Sequence, residues 1–377
     1  MKYTTIGNAF KLKSGAGLSA KKMVSGNFPV YGGNGINGTH NEYLFEESKI
    51  VIGRVGAYCG NVHKTQTKAW ITDNALYIQE SYVKYDSTYL IFLLTSLNLN
   101  KYASQSGQPL ISAGRLKDVK IPLPSLEEQK KIAAILDAAD EYRQKTKALI
   151  EKYDQLTQSL FLDMFGDPVT NPKGWEVTTI GALFKVKGGK RLPKGSVYSE
   201  EKTDRPYLRV TDFQRNGINS SDLKFISKDI HSKISRYILR AEEVYISIAG
   251  TIGLAGFIPE ELDGANLTEN AAKFCALPGT HVLKEYLSYY LNSSFTQANI
   301  KSKTMAVGVP KLAIFRIEEL PYIHAPIHIQ QKFVERVNDL EKQKRQAEAS
   351  LVKAEELFNS LLQRAFKTGL SGRAPHA

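Results

Sequence analysis

Residues 4–15 read TTIGNAFKLKSG, and residues 178–189 read TTIGALFKVKGG. Eight of the twelve positions are identical. A match this long means that one fold unit is used twice in the chain, and any fold assignment must accommodate two copies. Weaker matches follow in the same order. Trp70-Ile71-Thr72-Asp73-Asn74-Ala75 answers Asn266-Leu267-Thr268-Glu269-Asn270-Ala271, Arg54-Val55-Gly56 answers Thr251-Ile252-Gly253, and Pro109 and Arg115 answer Pro310 and Arg316. Gly15 and Gly56 are 41 positions apart, and Gly189 and Gly253 are 64. The copies therefore share a frame and differ in one loop-rich region, the arrangement that recognition modules favour.

The segments between the matches alternate in texture. In residues 1–124, short apolar runs (Lys49-Ile50-Val51-Ile52-Gly53, Ala75-Leu76-Tyr77-Ile78) read as strands. Gly32-Gly33-Asn34-Gly35 and Asn37-Gly38 read as turns. Residues 87–97 suit a short helix, and Ile121-Pro122-Leu123-Pro124 must be extended. Ser125-Leu126-Glu127-Glu128 is a capping box, and no Gly or Pro interrupts the chain from there to Phe165. That is room for a helix of roughly 60 Å at ~1.5 Å per residue. Gly166-Asp167-Pro168 ends it, a second mixed block runs to residue 325, and Pro326 opens another long helix reaching about Thr368.

In the first helix Leu136, Ala139, Arg143, Thr146, Ile150, Tyr153, Thr157, Leu160 and Met164 fall at alternating three- and four-residue steps. Val337, Leu340, Lys344, Ala347, Leu351, Ala354, Phe358, Leu361 and Ala365 do the same in the second. These are heptad seams, suited to an antiparallel pair with one globule at each end and approximate two-fold symmetry. Arg143 and Lys344 share a seam position, where a cation either fixes register or extends its charge to water.

The net charge is +12. Residues 1–124 contribute 14 basic and 7 acidic side chains, and residues 167–325 contribute 21 and 17. The excess thus sits mainly in the globular blocks, and such a surface favours polyanions, nucleic acid before membrane. No apolar run approaches the ~20 residues of a membrane span, and the N-terminal residues do not resemble a secretory signal. Cys59 and Cys275, one per copy, suit reduced thiols of a cytoplasmic protein, and no metal-ligand spacing joins them to histidine.

Catalytic signatures are lacking. There is no phosphate-binding Gly-rich loop ending in Gly-Lys-Ser/Thr. Gly250-Thr251-Ile252-Gly253 lacks a nucleophilic serine. Asn171-Pro172-Lys173-Gly174-Trp175 lacks the second proline and adjacent aromatic of amino-methyltransferases. An acid–base pair shared by the copies goes no further than Asp73 and Glu269.

Several strings, in their order, carry a resemblance. They are Tyr31-Gly32-Gly33-Asn34-Gly35-Ile36, the run from Ile52 to Gly60, and the entry Pro122-Leu123-Pro124-Ser125-Leu126-Glu127-Glu128-Gln129 with its looser copy from Pro326. Asn171-Pro172-Lys173-Gly174-Trp175 and Tyr207-Leu208-Arg209-Val210-Thr211-Asp212 complete the set. With the globule–helix–globule–helix order, the chain resembles the specificity subunit of type I restriction-modification systems. The resemblance implies an α+β fold: two mixed α/β target-recognition domains (1–124 and 167–325) separated by two long antiparallel coiled-coil helices (125–166 and 326–377). It implies a non-catalytic reader of double-stranded DNA, each globule reading half of a split site and the helices setting the spacer.

Base contacts would come from Asn34, Asn37, His40 and Arg54 in the first domain, and from Arg209, Thr211, Asp212, Gln214, Arg215 and Asn216 in the second. Phosphate contacts would come from Lys11, Lys13, Lys21, Lys22, Lys185, Lys187, Lys190 and Arg191. The expected partners are two methyltransferase subunits, docked on exposed rows such as Ile135, Tyr142, Leu149 and Leu156, and motor-nuclease subunits. S-adenosylmethionine, ATP and Mg would belong to those partners, with no cofactor in this chain. The competing readings are a subunit serving a fused nuclease-methyltransferase and a coiled-coil assembly protein.

Overall fold

The computed structural model describes residues 2–104, 107–304 and 310–368, so residues 369–377 of the second helical segment lie outside the described residues. The chain forms two compact units. One comprises residues 1–149 with 347–377, the other residues 150–346. The divisions fall inside the two long helices, Leu126–Phe165 and Ile327–Gln363, so each unit contains the start of one helix and the end of the other.

The first unit is built on a four-stranded antiparallel sheet in the order Phe10–Ser14, Ala75–Ser81, Ile50–Gly53, Val62–Lys64. A smaller sheet, Gly35–His40, Phe28–Gly32, Trp70–Ile71, contains one parallel pairing, Val30 to Trp70 and Tyr31 to Ile71. A two-stranded ribbon joins Tyr3–Thr5 to Lys120–Pro122, bringing the two ends of the globule together. The helix Ser87–Ser96 buries Tyr89, Leu90, Leu93 and Leu94 against Ile6, Ile52 and Leu76. Each fully buried aliphatic side chain there contributes about 1.5–3 kcal/mol.

The second unit repeats this plan. Its main sheet runs Phe184–Gly188, Ala271–Ala276, Val244–Ser247, Ala255–Phe257. The parallel pairing recurs as Tyr207 to Asn266 and Leu208 to Leu267, and the ribbon recurs as Glu176–Thr179 with Pro321–His324. The mixed α/β repeat with two long helices is thus observed directly.

The opening repeat encodes the frame residue by residue. Thr5 Oγ1 accepts the Asn8 N–H and caps a one-turn helix. Ile6 and Ile180, and Phe10 and Phe184, are buried in the two cores. A Cβ on Gly15 would lie 2.2 Å from the Ile71 carbonyl oxygen, and one on Gly189 would lie 2.1 Å from that of Thr268. Only glycine lets the strand end pass so close to neighbouring backbone.

One sequence correspondence is corrected. The Ile111 N–H donates to the Arg54 carbonyl at 2.9 Å, and the Leu312 N–H donates to the Ile248 carbonyl at 2.9 Å. Arg54 and Ile248 likewise each donate an N–H to the matched asparagines, Asn74 and Asn270. The counterpart of Arg54 is therefore Ile248, not Thr251. Gly53 and Gly60 exchange the same backbone bond as Ser247 and Gly253, so Gly253 answers Gly60 and not Gly56. The string match misaligned them because the turns after these strands differ in length. Asn37-Gly38 also departs from expectation. They lie within the strand Gly35–His40, with Asn37 the extra residue of a β-bulge opposite Val30 and Tyr31.

The capping box forms as written. Glu128 N–H donates to Ser125 Oγ and Ser125 N–H to Glu128 Oε2, each at 3.2 Å. All nine predicted seam positions in each helix are buried or half-buried. In the first unit the Arg143 guanidinium stacks on Phe358 at 4.3 Å, and Lys147 pairs with Glu355. In the second, Lys344 pairs with Asp154 at 2.5 Å, and Phe161 packs on Phe333. Each cation meets the opposite helix, so the register reading is favoured over simple extension to water.

Two buried glutamines join helix to globule. Gln129 accepts the Asp86 N–H at 2.9 Å and donates to the Pro124 carbonyl at 3.0 Å. Gln330 accepts from Leu283 at 3.0 Å and donates to Ala325 at 2.8 Å. The turn after the first helix is tied similarly. Asn171 exchanges two bonds with the Trp175 backbone, and the indole N–H donates to the Phe165 carbonyl.

Candidate nucleic-acid interface

The shared strand Phe10–Ser14 and its counterpart Phe184–Gly188 alternate apolar and basic positions, so the lysines face solvent. Lys13 and Lys187 are exposed. Lys11 is paired with Glu80 at 3.0 Å, whose hydrogen bond raises its pKa, and Lys185 is paired with Glu318 at 3.2 Å. A phosphate must compete with a carboxylate at both positions. Lys21 and Lys22 are exposed on the single turn Ala20–Lys22.

In the first unit, Asn34 occupies the hairpin tip, where its Oδ1 accepts from Asn61 at 3.1 Å. Asn37 is exposed on the bulge. His40 is buried instead. Its Nδ1 accepts the Val24 N–H at 3.1 Å and its ring packs edge-on against Trp70. It supports the hairpin and presents no surface for a base. Arg54 is half-buried, with Nη1 donating to Ser14 Oγ at 3.2 Å and to the Asp73 carbonyl at 3.1 Å. Its position is fixed by the shared frame, since Ser14 ends the strand Phe10–Ser14 and Asp73 lies in the turn before Ala75–Ser81.

In the second unit, Arg209 and Asp212 are committed to each other at 2.6 Å, with Asp222 also on the guanidinium at 3.3 Å. Asp212 is buried and caps the Arg209 N–H, so this pair braces the loop. Asn216 adopts φ +59°, and its Oδ1 accepts from Ser288 at 2.8 Å and Asn292 at 2.9 Å. It is consumed in packing the hairpin. Thr211, Gln214 and Arg215 remain exposed.

Lys190 and Arg191 converge with residues from distant segments. They line a cleft of about 520 Å³ together with Ile248, Glu269, Lys311 and Phe315. Arg191 Nε donates to Glu269 Oε1 at 2.5 Å, which lifts the guanidinium pKa further. Lys311 and Phe315 were not picked out from sequence. A signal existed for Phe315: it stands off the apolar positions Ile314 and Ile317 of its short helix, leaving a large aromatic 58% exposed.

Among the described residues no group of three or more His, Cys, Asp or Glu side chains could hold a metal ion. Burial pushes the Cys59 thiol up, and burial with the Glu243 hydrogen bond pushes Cys275 up to about 11. Both are protonated near neutrality and poor nucleophiles. No helix of the described residues is long and apolar enough to cross a membrane.

On the helices, Ile135, Tyr142 and Leu149 recur every seventh residue and are 46%, 53% and 43% exposed in the first unit. Leu156 is exposed in the second.

A family model described as "Type I restriction modification DNA specificity domain" matches residues 1–152 and 172–353. The chain is 35% identical over 144 residues to the type I restriction enzyme EcoprrI specificity subunit of Escherichia coli, covering 37% of this chain and 36% of that protein. It is 28% identical over 274 residues to the MjaIX specificity subunit of Methanocaldococcus jannaschii, covering 66% and 60%. These matches thus span less than two thirds of either relative. The crystal structure of a type I restriction-modification S subunit from M. genitalium superposes with a TM-score of 0.61 at 19% identity, covering 97% of this chain and 96% of that one.

Proposed function

The chain belongs to the family of type I restriction modification DNA specificity domains, and from that premise we propose that it reads a bipartite, asymmetric DNA site, one half-site per globular unit. The observation that carries this reading is the contrast between frame and periphery. Both units keep the same sheet order, the same parallel pairing and the same backbone bonds around Arg54 and Ile248. They differ in the side chains set on that frame, as two readers of unlike sequences must. Exposed Asn34, Asn37, Gln214 and Arg215, with the partly exposed Arg54, present the donors and acceptors that discriminate bases. Lys13, Lys21, Lys22 and Lys187 suit phosphates.

In this reading the chain itself performs no bond chemistry. Methyltransferase subunits dock on the exposed helical rows, the helical segments set the unread spacer, and motor-nuclease subunits complete the assembly. S-adenosylmethionine, ATP and Mg belong to those partners, and the complex works in the cytoplasm. Exchanging residues 1–124 for those of a relative, followed by methylome sequencing of the host, tests the reading. One half of the methylated site changes and the other stays. A change in both halves, or no methylation dependent on this gene, refutes it.

A further inference from the structure

The shared frame permits a position-by-position comparison of the two units at the end of the repeat strand. Gly15 and Gly189 donate equivalent backbone bonds to Ala75 and Ala271, and Ala16 and Lys190 to Ile71 and Leu267. The bridges Val55 to Leu110 and Ala249 to Lys311 are likewise equivalent. Lys190, Arg191, Ile248, Lys311 and Phe315 of the second unit therefore stand where the first has Ala16, Gly17, Arg54, Leu110 and Gly114. In the first unit the long Arg54 side chain reaches across this point to Ser14 and Asp73. In the second, the short Ile248 leaves the cleft of about 520 Å³ open.

Its lining is unlike an ordinary surface groove. Three cations, Lys190, Arg191 and Lys311, line it with one carboxylate, Glu269, which Arg191 already pairs with at 2.5 Å, while the Lys190 ammonium also lies 5.8 Å from the centre of the Tyr237 ring. The half-buried Ile314 contributes apolar surface above the buried Ile248 and Leu312, and the Phe315 ring stands exposed at the rim. Cations beside an exposed aromatic match an anion joined to a flat apolar body. The volume lies within the ~300–1,000 Å³ common for ligand sites.

We propose that this cleft holds one nucleotide of the bound DNA turned out of the duplex stack, its phosphate on Lys190, Arg191 and Lys311 and its sugar and base on Phe315, and that the first unit has no such site. The inference rests on the DNA-reading function proposed above and makes the two units unequal: the second grips the backbone harder. A free nucleoside phosphate shares the same chemistry, so the test separates the two sources.

The full-length chain is titrated with a fluorescein-labelled random-sequence duplex across a salt series, with Lys190→Ala/Arg191→Ala/Lys311→Ala and Phe315→Ala as variants. All four positions are at the surface or the cleft rim, and circular dichroism with Trp175 emission verifies their fold. The triple variant reduces the slope of log K against log salt by about 1 and weakens binding about tenfold at moderate salt. Phe315→Ala weakens binding about tenfold with an unchanged slope. Wild-type protein that binds duplex while all variants match it overturns the cleft assignment and leaves the reading function standing. Wild-type protein that ignores duplex overturns both. AMP binding that the triple variant abolishes, with duplex binding untouched, overturns DNA as the occupant.

Discussion

Replacing Gln129 or Gln330 tests how the long helices are bound to the globules. Each amide bridges two backbone groups of its own unit, and both glutamines are fully buried. Gln129→Met keeps most of the volume but orphans the Asp86 N–H and the Pro124 carbonyl. Each orphaned group costs about 1–3 kcal/mol, partly offset because the amide itself no longer needs satisfying, so the net is ~3 kcal/mol. Gln129→Ala adds a cavity and costs ~1–2 kcal/mol more. With a urea dependence of ~2 kcal/mol per molar, the methionine variant moves the unfolding midpoint down by ~1.5 M. The chain's two tryptophans supply the assay, since Trp70 lies in the first unit and Trp175 in the second. In single-tryptophan variants, Gln129→Met shifts the transition seen by Trp70, and Gln330→Met the one seen by Trp175. If the units unfold together, both reporters move by the same amount. A shift below ~0.5 kcal/mol from both reporters would refute the reasoning, because buried backbone groups left without partners cannot be that cheap.

Other outcomes follow from the same geometry. Burial lowers the His63 pKa below its ordinary ~6.5, so on acidification the unfolded chain takes up protons first. The stability it contributes is complete above about pH 6.5 and is lost as pH falls toward the folded value; urea midpoints read from Trp70 decline there, and His63→Gln flattens that part of the profile. Cys275, with its pKa pushed up to about 11, stays a thiol at pH 8. Mass spectrometry therefore finds slow iodoacetamide labelling at that pH and a steep rise above ~pH 10; rapid labelling at pH 8 would contradict the environment described. Tyr142→Ser/Leu149→Ser alters exposed positions, so the midpoint moves by no more than ~0.5 kcal/mol. Under the function proposed above, its co-purification with methyltransferase subunits is lost, and retention of the partner would show that this face is not the docking surface.

Much of this architecture was legible because its signals are local. The repeat of residues 4–15 and 178–189 survives where each position answers to its immediate neighbours: a cap at Thr5, core at Ile6 and Phe10, close approach at Gly15. The heptad seams were readable because a helix places every third or fourth residue on one face whatever surrounds it. Side-chain roles in the loops were less readable. His40 and Asp212 belong to residue types that usually face water, yet Trp70 and Val24 enclose one and Arg209 the other. The buried glutamines carry no periodic signal, because a lone polar residue near a helix start has the same appearance whether it faces solvent or a backbone N–H.

By itself, the sequence determined that one α/β frame occurs twice, that two long helices follow the two copies, and that the basic excess sits on the globules. Those properties depend on spacing and composition, which survive without coordinates. Only the tertiary structure decided that Ile248, not Thr251, replaces Arg54, because the pairing is set by bonds from Ile111 and Leu312, tens of residues away. Only it joined Lys190, Arg191, Ile248, Lys311 and Phe315 around one cleft. Chain order cannot reveal such a cluster, since sheet pairing brings together segments that have no local reason to meet.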